Sequence, residues 1–164
     1  MSRLDINIRR LQAQRACLDL VAAHIRDMPG PIFEMGLGNG RTYDHLREAL
    51  PGREIFVFDR EVAAHPDCIP DTAHLFLGDF RETLPRAVDR FAGSVAFIHA
   101  DVGSANAERD ARLAGAIAEF LPVLLRPGGL VASDRDVAFT GAQTIRLPAS
   151  VAAGVYFLYQ HPLV

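Results

Sequence analysis

Apolar residues recur at roughly helical period through the first 28 positions: Leu4, Ile8, Leu11, Ala16, Leu18, Val21, Ala22 and Ile25. The pattern stops at "MPGP" (28–31), a strong breaker, and predicts one or two N-terminal helices. "PIFEMG" (31–36) is a short apolar run leading into glycines, as a strand does. "RTYDHLREAL" (41–50) sets Tyr43, Leu46 and Leu50 on one helical face before "PG" stops it. "EIFVFD" (54–59) is a buried strand ending in an acid, and "AHLFLGDF" (73–80) is another. Between them, residues 60–71 hold two prolines and read as a loop or a broken helix.

A short helical piece leads to a fourth strand, "SVAFIHAD" (94–101). From Ser104, a plausible N-cap, a helix runs with Leu113, Ile117, Phe120, Leu121 and Leu124 inward. Pro122 should kink it late, "PGG" (127–129) should end it, and "LVASD" (130–134) is a fifth strand. Buried strands alternating with helices predict an α/β fold with a parallel sheet covered on both faces. The tail differs: "QTIRLP" (143–148) and "GVYFLYQH" (154–161) are strands joined by a short turn. They should therefore form an antiparallel hairpin. No internal repeat or low-complexity stretch divides the chain, so residues 1–164 read as one domain with 1–28 as an N-terminal helical cap.

Composition narrows the partners. The 164 residues are 49 % apolar and 23 % charged with a net charge of −3, and no basic block points to nucleic acid. Arg3, Arg9, Arg10 and Arg15 alternate with apolar residues and read as a solvated helix face. Cys17 and Cys68 lie outside any metal spacing and read as isolated thiols. No apolar run reaches the about 18 residues a membrane span needs, so a soluble cytoplasmic protein is expected.

The chemistry gathers at the strand ends. Glu34 and the glycine loop follow the first strand, Asp59 the second and Asp79 the third. His99 and Asp101 follow the fourth strand, Ser133 and Asp134 the fifth. In an open parallel sheet these carboxyl ends are where ligands sit. "FEMGLGNG" (33–40) spaces its glycines Gly-x-Gly-x-Gly, one residue tighter at the end than the Gly-x-Gly-x-x-Gly of dinucleotide sites. Glu34 stands two residues before Gly36, where a carboxylate would repel a pyrophosphate but suits an ammonium or sulfonium. Asp59 lies 19 residues beyond Gly40, near the spacing expected of an acid that holds ribose hydroxyls.

With these motifs the chain resembles the class I S-adenosylmethionine-dependent methyltransferases over nearly its whole length. "FEMGLGNG", "VFD", "LGDF", "IHAD" and "LLRPGGLV" (124–131) each stand where that family has a motif. The resemblance implies a three-layer α/β/α Rossmann-like fold with a seven-stranded, mostly parallel sheet of order 3-2-1-4-5-7-6. It also implies a cofactor site of Glu34, Gly36, Gly38, Asn39, Gly40, Asp59, Arg60, Gly78, Asp79, Phe80 and His99. Glu34 would order the loop or meet the amino group. Asp59 would take the ribose hydroxyls, Asp79 the adenine amine, and Phe80 would pack on the ring. The competing reading of Asp79 is a helix cap.

For the methyl acceptor, the informative relatives by resemblance are the metal-dependent O-methyltransferases of catechols and caffeoyl esters. Asp101 and Asp134 match their pattern, but His99 and Arg135 replace two metal ligands, and Val102 replaces a basic residue. An arginine beside the site would repel a divalent cation, so no metal is expected. His99, Asp101 and Asp134 become the catalytic candidates. His99 is either a general base or a structural side chain, and Asp134 either touches substrate or ends its strand.

The expected activity is in-line transfer of a methyl group from S-adenosylmethionine to a small molecule, leaving S-adenosylhomocysteine. The acceptor site would be built from the N-terminal helix, the 60–72 loop, the 101–106 turn and residues 135–142. The alternatives are a non-catalytic S-adenosylmethionine-binding partner or sensor protein and, more remotely, a nicotinamide dehydrogenase. Edge strands and the apolar "GVYFLY" suggest a homodimer.

Overall fold

A computed structural model describes residues 1–104 and 106–163. One long helix, α1 (Arg3–Ile25), covers the first segment. It opens on a capping box, in which the Ser2 hydroxyl accepts from Asp5 N at 3.1 Å and the Asp5 carboxylate accepts from Ser2 N at 2.9 Å. At its far end Arg53 donates to the carbonyls of Ile25 (2.9 Å) and Gly30 (2.8 Å), so the last orphan acceptor and the breaker that follows are tied down.

The remaining α-helices and strands are β1 (Ile32–Met35), α2 (Arg41–Ala49), β2 (Ile55–Asp59), β3 (Leu75–Leu77), α3 (Phe80–Phe91), β4 (Val95–Ala100), α4 (Ala107–Ala118), α5 (Leu121–Leu124), β5 (Leu125–Ser133), β6 (Gln143–Thr144) and β7 (Phe157–Gln160). They form a seven-stranded sheet of order β3-β2-β1-β4-β5-β7-β6, as the resemblance implies. β1 to β5 run parallel, and β7 runs antiparallel to both β5 and β6.

Strand alternation decides the two cores. Ile32, Phe97 and Leu130 face α1 and α2, where they meet Leu18, Val21, Ile25 and Leu46. Phe33, Ile98 and Val131 point the other way, onto Leu84 of α3, Ile117 of α4 and Leu121 of α5. On that second face Phe33 lies 4.8 Å from Phe58 and 5.2 Å from Phe91 between ring centroids, an aromatic cluster under the β1–β2 half of the sheet. The chain leaves β1 toward β2 and β3, then returns to place β4 on the other side of β1. That reversal opens the crevice at the ends of β1 and β4.

Several elements differ from the sequence expectation. α4 is capped by Asn106, whose side chain accepts from Arg109 N at 3.0 Å. Ser104 instead donates to Asp110 Oδ1 at 2.7 Å, and Ala105 lies outside the described residues. Pro122 does not kink a continuing helix. α4 stops at Ala118, and the chain restarts in α5 with Pro122 in its first turn, where a missing N–H breaks no bond. "RPGG" falls inside β5, where the pairing with β4 shifts register between Val95 and Phe97. β6 is only two exposed residues, and residues 145–156 rather than a short turn lead to β7, Pro148 being unable to extend the ladder. Cys17 is buried and Cys68 half-buried, and both are free thiols.

Candidate active site

The core of the site is a pair of buried polar residues in register. Glu34 of β1 sits opposite His99 of β4, on the face that packs against α1. Both are fully buried, and Glu34 Oε2 lies 2.8 Å from His99 Nδ1. The other Glu34 oxygen accepts from the Thr42 hydroxyl on α2, which ties the strand end to the helix beyond the glycine loop. His99 Nε2 hydrogen-bonds to the hydroxyl of Tyr156, a buried residue just before β7. Burial alone would lower the imidazole's pKa, but the Glu34 charge and hydrogen bond outweigh it and hold His99 above its ordinary value. Burial raises the Tyr156 hydroxyl well above the usual phenol range, so it stays protonated.

From this pair the network reaches α1. Gln14, itself buried, donates from Nε2 to Asp101 Oδ2 at 2.8 Å and lies 3.4 Å from the Tyr156 hydroxyl. Arg10, one turn earlier, donates to Asp101 Oδ1 at 3.0 Å. Gln14, Tyr156, Thr42 and Arg10 were not among the residues expected from sequence. For two of them the signal was present. Positions 14, 18, 21 and 25 form the buried stripe of α1, and a glutamine heads that stripe with Arg10 four residues before it. Tyr156 and Thr42 carried no comparable mark.

The glycine loop turns above these groups. Gly36 has a φ of 89°, and a Cβ there would stand 2.5 Å from the Asp101 carbonyl oxygen, so the loop can pass β4 only as glycine. Gly40, at φ 86°, caps α2 against Cys68, and a Cβ would stand 2.3 Å from that side chain. Asn39 is exposed, with its side-chain amide beside Arg41 Nε at 3.1 Å. Asp59 Oδ2 accepts from Leu37 N at 2.7 Å and Gly38 N at 3.3 Å, and Oδ1 accepts from Arg60 N at 2.6 Å.

Asp79 is the N-cap of α3, accepting from Arg81 N at 2.9 Å, and its other oxygen pairs with the Arg60 guanidinium. Those two partners hold its carboxyl below the usual range. The cap reading of Asp79 is therefore realised, and Gly78 and Phe80 flank it, both half-buried.

The three catalytic candidates separate sharply. His99 has no exposed surface and both ring nitrogens engaged, so it offers no free lone pair at the mouth of the site. Asp134 is 3 % exposed; its oxygens accept from Val102 N and Gly103 N, both at 3.2 Å, and it pairs with Arg135. Burial and the nearby Asp101 charge raise its pKa. Asp101 alone stays partly open, at 20 %. Arg135 bonds to the buried Asp110 at 2.9 Å, locking the segment after β5 onto α4.

A family model for S-adenosyl-L-methionine methyltransferases matches residues 1–161, and the chain belongs to that family. It is thus an enzyme that uses S-adenosylmethionine, which decides against a non-catalytic sensor and a nicotinamide dehydrogenase. An S-adenosyl-L-methionine methyl transferase from Silicibacter pomeroyi DSS-3, solved by crystallography, is 45 % identical, with a TM-score of 0.93 over 98 % of this chain and 99 % of that one. The fold is also similar to a putative caffeoyl-CoA O-methyltransferase from Staphylococcus aureus (14 % identity, TM-score 0.58, 88 % and 82 % covered). A methyltransferase from Geobacter sulfurreducens shares it too (14 %, 0.57, 87 % and 76 %). Comparison with curated proteins gives no match.

Proposed function

We propose that the enzyme methylates a small molecule, which enters between α1 and α2 to reach the carboxyl ends of β1 and β4. The observation that carries this reading is a groove of 380 Å³ between those helices, floored by Gln14 and Thr42. Those two side chains bond to Asp101 and Glu34, so the groove abuts the strand-end network directly. Its volume falls within the about 300–1,000 Å³ typical of small-molecule sites.

The residues around the loop fit a sulfonium cofactor. Nothing stands within 4 Å of where a Gly38 Cβ would be, so the loop is open on that side. Beside it Asp59 is half-buried and, among the described residues, makes no ion pair, so its carboxylate is suited to a cation. Gly36, Gly38, Asn39, Gly40, Asp59, Arg60, Gly78, Asp79 and Phe80 are the residues that would hold S-adenosylmethionine, and when bound it supplies a methyl group on positive sulfur. Asp59 would then exchange its backbone partners for ribose hydroxyls. Glu34 orders the loop from beneath, through Thr42.

In this reading the chain contributes alignment and water exclusion to an in-line transfer. His99 is a positioning residue, fixed between Glu34 and Tyr156. Asp101 is the acid nearest the acceptor. The transfer runs without a metal, because Asp101 and Asp134 already hold the cations Arg10 and Arg135.

Calorimetry with S-adenosylhomocysteine and NAD, followed by a homocysteine-release assay over small phenols, amines, carboxylates and thiols, tests the proposal. The sulfur ligand should give heat, NAD none, and a small acceptor should turn over. S-adenosylhomocysteine binding with methyl transfer only to a protein or nucleic acid would overturn it.

A further inference from the structure

We propose that the groove between α1 and α2 binds a carboxylate, so that the methyl acceptor is an apolar body carrying a carboxyl group. This deepens the reading above and rests on it. The walls come from α1: Ile8 is 43 % exposed and Leu11 36 %, and both line the groove one turn apart. Large aliphatic side chains left at solvent beside a cavity mark a surface that a ligand covers.

The charge comes from two arginines on opposite sides, Arg15 on α1 and Arg41 at the start of α2. Among the described residues Asp44 pairs with Arg47 at 2.6 Å and Asp101 with Arg10 at 3.0 Å, and Asp19 is hydrogen-bonded to the His45 ring at 2.7 Å. Among the described residues neither Arg15 nor Arg41 makes an ion pair, and Arg41 rests only on the neutral Asn39 amide. Two guanidiniums without a counter-charge over an apolar wall favour a planar anion that each can fork, and they repel a cationic acceptor. The floor sets the depth. Gln14 and Thr42 are fixed by Asp101 and Glu34, so a molecule seated by its carboxylate at the arginines would point its body at the strand ends.

A carboxylate there has two possible sources, the acceptor or the amino-acid tail of the cofactor itself, and saturation with S-adenosylhomocysteine separates them. The saturated full chain is titrated with benzoate and octanoate, each beside its carboxamide, by calorimetry. The acids should bind and the amides should bind about tenfold more weakly or not at all. In the Arg15→Gln, Arg41→Gln double variant the acids should lose about tenfold while S-adenosylhomocysteine affinity stays within about twofold. Both positions are exposed, and the separate Leu11→Glu variant, which removes part of the apolar wall and adds a negative charge, should weaken the acids more than the amides.

Equal binding of acid and amide, or acid binding that survives the double variant, overturns the proposal. A tenfold loss of S-adenosylhomocysteine in the double variant also overturns it, assigning the arginines to the cofactor's carboxylate. If the wild-type chain binds the acids but not S-adenosylhomocysteine, the cofactor site fails while the groove stands.

Discussion

The ends of β1 and β4 and the ends of β2 and β3 both carry acids, yet they solve opposite problems. At β1 and β4, Glu34 and His99 have no exposed surface and bond only to other side chains, Thr42 and Tyr156. At β2 and β3, Asp59 and Asp79 are half-exposed and accept mainly from backbone N–H groups of the turns that follow them. A buried charge must keep every partner, because water cannot replace one. A rim carboxylate can exchange a turn amide for a ligand hydroxyl at little cost. The first pair therefore builds the site, and the second pair is placed to meet what binds in it.

The sharpest way to break this contrast is Glu34→Ala. It leaves His99 Nδ1 and the Thr42 hydroxyl, both buried, without their partner, and removing one member of a buried pair costs about 3–5 kcal/mol. Urea unfolding should show a loss of that order. A loss below about 1 kcal/mol, the range of exposed pairs, would mean the β1–β4 pair is no different in kind from the rim acids.

A smaller effect is expected from pH. Glu34, Tyr156, Asp101 and Asp134 all face or influence His99, and the Glu34 carboxylate holds its folded pKa above the ordinary 6.5. The native state therefore keeps the proton that the unfolded state releases. This stability is fully present below the unfolded pKa and is lost as pH rises through the folded one. The urea midpoint of the wild type should fall across that window, and the difference from a His99→Asn variant should shrink as pH rises. Parallel curves for the two proteins would sink the idea that His99 is held charged by Glu34.

How far the sequence carried follows from the same contrast. Alternation within a strand and the apolar stripes of helices are local, so the parallel strands and the inward faces of α4 and of the second half of α1 were legible, whereas Leu4, Ile8 and Leu11 of the same apolar period stand exposed. The acids at strand ends were equally visible, as was the glycine loop. Register is not local. Glu34 and His99 are 65 positions apart, and only the pairing of Ile32 with Phe97 makes them neighbours. His99 thus read equally as a general base or as a structural side chain, and it is the register and α1 that enclose it. Gln14 could have been found as a polar interruption of a buried stripe. Tyr156 sits on an irregular approach to β7, where neither period 2 nor 3.6 marks which side is inside.

The smallest effect separates two roles in one residue. Asp79 caps α3, and the resemblance gives it the adenine amine as well. Asp79→Ala removes both and should cost about 1 kcal/mol, the usual loss for an N-cap, with the exposed Arg60 pair adding little. Asp79→Ser keeps an oxygen able to accept from the first-turn amides, so the urea midpoint should stay near the wild type. Its hydroxyl is too short to reach beyond the turn, so S-adenosylhomocysteine affinity should still fall, by about tenfold for a lost charge-assisted hydrogen bond. Should the serine variant bind S-adenosylhomocysteine as the wild type does, Asp79 serves only its helix. The β3 rim would then join β1 and β4 as structure rather than recognition, and Asp59 alone would hold the ribose side.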